Sequence, residues 1–336
     1  MKHFLSLLAW IVVMSFQLSC QAQSPLQVQT QAQSLVQDYP NKAVKLVVTY
    51  PPGGGPDVTA RIVGQKLAQI WKQPVLIENK PGAGGNLGAE QVVRSAADGY
   101  TLLLASQNVP VTRRYLSKGE PIDATKDLTP ISALWRTSLL LAVNPNVPAK
   151  NFKEFLEYLK LNSGKVSFST TGIGTQGHFA GASLSAVTGS NIMHVPYNDN
   201  RVITDVISGQ VPMTLSIVSN VNAHVRAGRL RLIASAGTKR LEAYPDIALI
   251  TEFFPNFEPP PTWTGLFAPS GLPKPILQRL HAAILKGLSN AELKAKASSD
   301  GFDFIGNTPD EFVALINHDV EVAGRLVKLA KIEATD

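Results

Sequence analysis

The sequence has little of the chemistry that defines several common protein classes. A single cysteine, Cys20, excludes an internal disulfide framework and a cysteine-based zinc site. Charged residues make up only 17% of the 336 positions and hydrophobic residues 44%, so the chain can bury a substantial core. The net charge of +6 is not gathered into a basic stripe, which excludes nucleic-acid binding by bulk charge.

The signature motifs of common enzymes are also missing. The sequence has no G-x-S-x-G elbow, no H-E-x-x-H pair and no G-x-x-x-x-G-K-[ST] loop. Its histidines do not recur at the spacing of metal ligands. We therefore expect no catalytic residue, no resident metal and no cofactor.

The amino terminus resembles an export signal. Lys2 precedes an apolar run from Phe4 to Leu18, which is short for a membrane span and contains polar residues. We expect a secretory signal peptide over residues 1–22, followed by a glutamine-rich linker over residues 23–38. Lipid attachment at Cys20 is the less favoured alternative, because Gln17 stands where a lipobox usually has leucine.

Short β-branched runs alternate with amphipathic segments along the rest of the chain. The run at 44–50 predicts a strand, and the apolar spacing at 58–70 predicts a helix with Asp57 as its N-cap. Alternation of this kind predicts an α/β fold with parallel sheets covered by helices. In such sheets, ligands bind beyond the carboxyl ends of the strands.

Two stretches predict that the chain crosses between two lobes. At 136–144 one strand pattern runs into another with almost no turn, and at 259–261 three prolines precede a new strand. We predict a first lobe made of residues 39–137 with 263–336 and a second lobe made of residues 138–262. Two crossover segments form a hinge, and the cleft between the lobes is the expected ligand site.

Glycine-rich loops follow the predicted strands. YPPGGGPD at 50–57 and PGAGGN at 81–86 each join a strand to a helix, where backbone N–H groups can approach an anion. The first loop alone is equally compatible with a tight turn in which Asp57 only caps the helix. Two such loops in one lobe favour a shared anion pocket.

A third glycine-rich loop, FSTTGIGTQGHFAG, follows a strand of the second lobe. Gly172, Gly174 and Gly177 formally match the dinucleotide fingerprint. The fingerprint also requires an acid at the end of the next strand, but that strand contains His194 and no acid follows until Asp199. We favour a third anion-facing loop, to which threonine and serine hydroxyls contribute.

These loops, in this order, resemble the Bug family of periplasmic solute receptors, which serve tripartite tricarboxylate transporters. The matching segments span residues 39–333 and read YPNKAVKLVV, PPGGGPDVTAR, QPVLIENKPGAGGNLGAEQV, DGYTLLLAS, KDLTPISAL, HVPY, GLFAPSGLP and TPDEF. The resemblance implies an α/β, two-lobe periplasmic binding protein fold of the type II-like, Venus flytrap kind, with two crossover segments. It also implies a periplasmic monomer that captures a small carboxylate and delivers it to a membrane permease.

The resemblance implies a ligand site that the two lobes share. The two first-lobe glycine loops would hold one carboxylate through backbone amides and ordered waters, and Ser106 and Gln107 would line the floor. The first-lobe residues of the site are Tyr50, Pro52, Gly53, Gly54, Asp57, Gly82, Ala83, Gly84, Gly85, Ser106 and Gln107. Second-lobe residues would close over it, and they are Thr170, Thr171, Gly174, Thr175, His178, Pro196, Tyr197 and Asp199. Amino-acid-binding relatives use an acid at the position of Asp57 to pair with the ligand's ammonium group.

Departures from the family pattern leave the ligand open among monocarboxylates, dicarboxylates, amino acids and aromatic acids. Asn198, Asp199 and Asn200 replace the usual Lys-Gly-Gly, and Arg113 with Arg114 replaces the usual Asn-Pro pair. The two arginines fit a solvated face or contact with a second anionic group. An exported enzyme using Asp57 or His178, or a sensor with the same cleft, is the alternative function.

Overall fold

The computed structural model describes residues 38–53, 55–118, 122–197, 201–291, 294, 297–298 and 301–334. The predicted signal peptide lies outside these residues, as do the predicted linker apart from its last residue and the predicted site residues Gly54 and Asp199. The strands and helices described below belong to one compact unit, Lys42–Asp336.

Eleven strands are present among the described residues. They are β1 (Val44–Val48), β2 (Val75–Asn79), β3 (Thr101–Ser106), β4 (Leu128–Thr137), β5 (Leu139–Val143), β6 (Ser167–Thr170), β7 (Met193–Pro196), β8 (Met213–Ile217), β9 (Arg231–Ser235), β10 (Trp263–Pro269) and β11 (Phe302–Phe304). All but β11 lie where short apolar runs of the sequence predict a strand, which are residues 44–50, 74–79, 100–106, 131–135, 139–143, 166–170, 192–196, 213–217, 231–235 and 264–268. β11 was not predicted because three residues carry too little periodicity.

Helices cover the sheets. They are α1 (Gly55–Trp71), α2 (Asn86–Val93), α3 (Arg113–Leu116), α4 (Phe152–Leu161), α5 (Gln176–Thr188), α6 (Arg201–Ser208), α7 (Val218–Arg226), α8 (Lys274–Leu288) and α9 (Pro309–Ala330). Local sequence sets several ends, as when the Thr308 side chain and Glu311 form a capping box at the start of α9. A single turn of π-helix, Asn108–Thr112, joins β3 to α3.

The strands form two mixed sheets. The first has the order β11-β4-β10-β3-β1-β2 and the second β7-β6-β8-β5-β9. β1 is parallel to β2 and β3, and β6 is parallel to β7 and β8, but pairs that include β4, β5 or β10 are antiparallel. The expectation of parallel sheets is therefore wrong for these strands. β4 leaves the first sheet at the same end at which β10 enters it, so these two strands must run in opposite directions.

The chain passes between the sheets at both predicted places. Ser138 alone separates β4 in the first sheet from β5 in the second. The return follows β9, and the prolines at 259–261 precede Trp263, where β10 begins in the first sheet. The predicted two-lobe α/β fold with two crossover segments is confirmed, whereas the exact lobe boundaries stay a prediction.

Aromatic packing fixes the long helix α9 beside the returning crossover. The ring of Phe312 is fully buried, and its centroid lies 5.0 Å from that of Trp263 and 5.1 Å from that of Phe267. Gly265 in β10 leaves the room for this ring, because a Cβ at that position would overlap the Phe312 side chain. The Trp263 indole donates a hydrogen bond of 2.6 Å to Asp319, so the crossover is anchored to α9.

Candidate functional site

The carboxyl ends of the parallel strands in both sheets border the gap between the lobes. Ser106, the last residue of β3, pairs with Thr264 next to the returning crossover. In the second sheet Ile217, the last residue of β8, pairs with Leu139, which is the first residue of β5 after the outgoing crossover. Because β1 and β2 run with β3, and β6 and β7 run with β8, the loops that follow these strands lie at the same two edges.

A cluster of hydroxyl groups lies at the end of β3. The Tyr50 hydroxyl is 3.1 Å from Oγ1 of Thr264, and the Ser106 side chain also hydrogen-bonds to it. Burial raises the pKa of the Tyr50 phenol above its ordinary value, although these hydrogen bonds oppose the shift. The phenol is therefore neutral at pH 7 and can donate a hydrogen bond.

The carboxylate of Asp57 is held by neighbouring groups of the protein. It accepts hydrogen bonds from the Gly53 amide at 2.9 Å, from Nε of Arg61 at 3.0 Å and from Nδ2 of Asn79 at 2.7 Å. Burial raises its pKa, but these donors and the charge of Arg61 outweigh burial and hold the pKa below its usual range. The predicted N-cap role is wrong, because α1 begins at Gly55 and Asp57 lies within its first turn.

The second glycine loop has the left-handed backbone that its sequence suggests. Gly82, Gly84 and Gly85 have φ of 119°, 65° and 100°, and Ala83 between them has φ of 47°. Gly85 is buried, and a Cβ there would lie 2.8 Å from Cγ2 of Val109, so only glycine fits. Residues 82–84 are exposed, and their backbone is open to a ligand.

Gln107 serves the turn after β3 through its side chain. It is fully buried, its Oε1 accepts a 2.5 Å hydrogen bond from Thr112, and its Nε2 donates a 2.7 Å hydrogen bond to Asn108. The backbone amide of Gln107 donates a hydrogen bond to the Trp263 carbonyl at 3.1 Å. Pro52 and Gly53, in the loop after β1, are exposed. The structure thus brings the described first-lobe residues together, with Gln107 supporting them from beneath.

The loop after β6 is held by its own hydrogen bonds. Oγ1 of Thr170 donates to the Gly172 carbonyl at 3.1 Å, and Oγ1 of Thr175 donates to the same carbonyl at 2.8 Å. The Gly174 amide donates to Nδ1 of His178 at 3.1 Å. Thr171 is exposed at the tip. This loop forms the second-lobe wall of the gap, and the hydroxyls of Thr170 and Thr175 and the amide of Gly174 in it already have partners in the protein.

His178 and His194 stack beneath this wall. Their ring centroids are 3.8 Å apart with an interplanar angle of 12°, and Nε2 of His194 lies 2.6 Å from Oγ1 of Thr170. Burial lowers the pKa of His178 to about 4, and burial together with repulsion from His178 lowers the pKa of His194 to about 3. Both rings are therefore neutral at pH 7, and the hydrogen of the His178 ring lies on Nε2 because its Nδ1 accepts from Gly174.

Pro196 and Tyr197 follow β7 at the same edge. Pro196 pairs with Thr170 in the sheet and is exposed, and the Tyr197 amide donates to the Thr170 carbonyl at 2.9 Å. The Tyr197 hydroxyl donates to Asp205 at 2.7 Å. The described second-lobe residues thus lie together around the end of β6.

The sequence pattern did not identify Leu116, which lies where the two lobes meet. A Cβ at Gly174 would overlap Cδ1 of Leu116, so this first-lobe side chain rests on the backbone of the second-lobe loop. Nearby, Phe179 of α5 packs with Val322 and Leu326 of α9. A lone leucine in an unpatterned segment carries no signal that would reveal such a contact.

A cavity of about 620 Å³ lies beside the crossover segments rather than at the glycine loops. It is lined by both crossovers and by α9, and none of the predicted site residues borders it. Burial raises the pKa of Asp319 in its wall, although hydrogen bonds from His318 and Trp263 oppose the shift. This cavity is distinct from the predicted site.

The described residues contain no group of three histidine, cysteine or acidic side chains able to hold a metal ion. In the same part of the chain, every helix falls short of the length or apolarity needed to cross a bilayer.

Comparison with known proteins identifies the relatives of this chain. Residues 59–332 match the family described as tripartite tricarboxylate transporter family receptor. BugT of Bordetella pertussis is 29% identical over 286 residues, which cover 84% of this chain and 87% of BugT.

Solved structures agree in fold. The periplasmic binding protein BugD is 28% identical with a TM-score of 0.76, and the match covers 88% of this chain and 100% of BugD. Rpa4515 of R. palustris, solved with adipate, is 25% identical with a TM-score of 0.80, over 88% of this chain and 100% of that one. MatC of Rhodopseudomonas palustris, with bound malate, is 26% identical with a TM-score of 0.74, over 86% and 100%.

The match to the family covers most of the chain, and the two sheets with their crossovers match the fold of solved relatives. The chain therefore belongs to the tripartite tricarboxylate transporter family of receptors.

Proposed function

We propose that this chain captures a small carboxylate between its lobes and delivers it to the permease of a tripartite tricarboxylate transporter. The observation that carries the proposal is the convergence of loops at one gap. The loops after β1, β2 and β3 lie along one edge, the loops after β6 and β7 lie along the other, and Leu116 and Gly174 meet between them.

The chemistry of these loops suits an anion. The exposed left-handed backbone at 82–84 lets amides approach a carboxylate, and the neutral Tyr50 phenol can donate from the floor. The negative charge of Asp57 is offset by Arg61, so it does not repel a carboxylate at full strength. Adipate and malate in two structural relatives support the same ligand class.

Capture would work through closure. A ligand shifts the lobes toward the closed form only by binding that form more tightly than the open one. Closure excludes water, which strengthens hydrogen bonds between the loops and a carboxylate. The hydrogen bonds within the second-lobe wall would keep its shape during closure, and the contact of Leu116 with Gly174 supports such a mechanism.

We further propose that the protein works in the periplasm as a monomer and binds no nucleic acid. The sequence of residues 1–22 supports export, and solved relatives such as BugD are periplasmic binding proteins. The family comprises receptors, and we propose that this chain likewise turns over no ligand. Both groups that an exported enzyme would need are already engaged, Asp57 by three donors and His178 by the Gly174 amide.

The direct test is a ligand screen on the mature protein. Small monocarboxylates and dicarboxylates are added in a thermal-unfolding assay, and native mass spectrometry searches the purified protein for a small acid carried through purification. A ligand at 100 times its Kd should stabilise the fold by about 2.7 kcal/mol. If no carboxylate raises the melting temperature, the proposal fails, and if the acid is released chemically changed, the enzyme alternative replaces it.

A further inference from the structure

Arg113 lies beside the glycine loop at 82–85, in the segment that follows β3. It begins the short helix α3, directly after the π-turn that Gln107 and Thr112 brace.

The helix of Arg113 connects the two glycine loops that face each other across the cleft. Nη1 of Arg113 lies 3.6 Å from the position a Cβ would take on Gly84 in the first lobe. Leu116, three residues further along α3, rests on Gly174 in the second lobe. The Arg113 guanidinium is therefore adjacent to the loop at 82–85, on the wall where the lobes meet.

Arg113 is also unusual in its pairing. Its Nε atom is buried without a hydrogen-bond partner, and among the described residues no carboxylate lies within 4.0 Å of its guanidinium. By contrast, Arg114 pairs with Asp123 at 2.7 Å and Arg61 pairs with Asp57 at 3.0 Å. A partly buried guanidinium without an acidic partner gains most from an anion supplied from outside.

We propose that Arg113 is a specificity-determining residue and that the ligand is a dicarboxylate. One carboxylate would bind the backbone of the loop at 82–85, and the second would pair with the Arg113 guanidinium, whose planar fork matches a carboxylate. This inference rests on the proposed function and deepens it, because a loop of amides alone accepts one carboxylate without distinguishing what lies at the far end of the ligand. The paired arginines of the sequence therefore have different roles, Arg114 in structure and Arg113 in recognition.

The test compares matched ligands and matched variants by calorimetry. Straight-chain dicarboxylates from malonate to adipate are titrated beside monocarboxylates in which one carboxylate is replaced by a methyl group. The proteins are the wild type, Arg113→Gln, Arg113→Lys and the control Arg94→Gln. The Arg94 side chain is 80% exposed and pairs with Glu90 on α2, so its substitution removes the same charge at a surface position.

We expect Arg113→Gln to lower the affinity for the best dicarboxylate by about 10- to 100-fold. The affinity for its monocarboxylate analogue should fall by less than about 3-fold. Arg113→Lys should restore part of the affinity, because it returns the charge without the bidentate geometry. Arg94→Gln should leave the affinity for both ligands unchanged. Melting temperatures of the unliganded variants within a few degrees of the wild type would show that Arg113 is not needed for folding.

Two results would overturn the inference while leaving the proposed function intact. One is a wild type that binds monocarboxylates as tightly as dicarboxylates, and the other is an Arg113→Gln variant that weakens both classes equally or neither. A wild type that binds no carboxylate at all would refute the proposed function itself, and with it the role given to Arg113.

Discussion

The glycine loops of the two lobes differ in how their polar groups are satisfied. In the second lobe, the hydroxyls of Thr170 and Thr175 and the amide of Gly174 all bond within the loop or to His178. In the first lobe, the backbone at 82–84 is exposed and Nε of Arg113 is buried without a partner. Two loops with similar composition therefore have unlike physical properties.

The difference suggests a division of labour between the lobes. Exposed amides and an unpaired guanidinium nitrogen gain most by binding a ligand, and the ones described above, at 82–84 and at Arg113, lie in the first lobe. A wall whose groups are already satisfied is rigid, so it can close over a ligand at a smaller entropic cost. We infer that the first lobe grips the ligand and the second lobe encloses it.

Acidification should destabilise the second-lobe wall, and we expect it to cause the largest loss of stability. The folded pKa values of His178 and His194, about 4 and about 3, lie below the unfolded value of 6.5, so the unfolded chain binds more protons below pH 6.5. The neutral rings therefore leave the stability of the fold undiminished above pH 6.5, and stability is lost as the pH falls toward their pKa values in the folded protein. When the pH is lowered from 7 to 5, the free energy of unfolding should fall by about 2 kcal/mol for each of the two histidines. Urea denaturation at the two pH values measures the change.

His178→Asn is the matched control for this prediction. Its amide oxygen can accept the hydrogen bond from Gly174 as Nδ1 does, but the side chain does not titrate. The variant should lose roughly half of the decline in stability between pH 7 and pH 5. An unchanged pH dependence would show that these rings do not set the acid sensitivity of the wall.

Adding a methyl group to a packed glycine of the second lobe and to an exposed glycine of the first lobe should separate packing from exposure. Gly177→Ala, in the first turn of α5 after the second-lobe loop, would place Cβ against the Leu215 carbonyl, so it should lower the free energy of unfolding by about 2 kcal/mol. Gly84→Ala would place Cβ no nearer than 3.6 Å to another group and should cost only about 1 kcal/mol for its left-handed backbone. Chemical denaturation measures both, and equal costs would contradict the difference between a packed glycine and an open one.

Removing the floor hydroxyl should have the smallest effect. Tyr50→Phe removes a neutral donor beside Ser106 and Thr264, and it should weaken carboxylate binding by about 1 kcal/mol, or roughly fivefold. Tyr158→Phe in the core of the second lobe is the control and should leave binding unchanged. Isothermal titration with the best acid from the ligand screen makes the measurement, and equal affinities of the two variants would remove Tyr50 from the site.

The sequence predicted the elements of the fold well because their signals are local. Ten strand patterns and the two crossovers follow from short apolar runs and from prolines at 259–261, which act within a few residues. Strand direction was predicted less well, since periodicity along a chain says nothing about which neighbour a strand meets. The N-cap assignment of Asp57 failed because helix ends depend on the turn that precedes them.

The candidate site divides in the same way. The glycines at 82, 84 and 85 predicted a loop whose backbone can approach an anion, and the structure gives this loop a left-handed backbone. The sequence could not predict that Arg114 is paired and that Nε of Arg113 is not, because only the folded structure brings Asp123 to Arg114. The engagement of Asp57 by Asn79 likewise depends on β1 and β2 lying side by side.

The amino-acid sequence by itself determined where strands, helices and glycine loops form and which family signature they carry. The tertiary structure alone decided which groups have partners: the Asp57 carboxylate pairs with Arg61, the second-lobe loop is internally bonded, and Nε of Arg113 has no partner. The physical reason is range. Backbone conformation is set by neighbours in the chain, whereas the pairing of a charge is set by groups that only folding brings within hydrogen-bond distance.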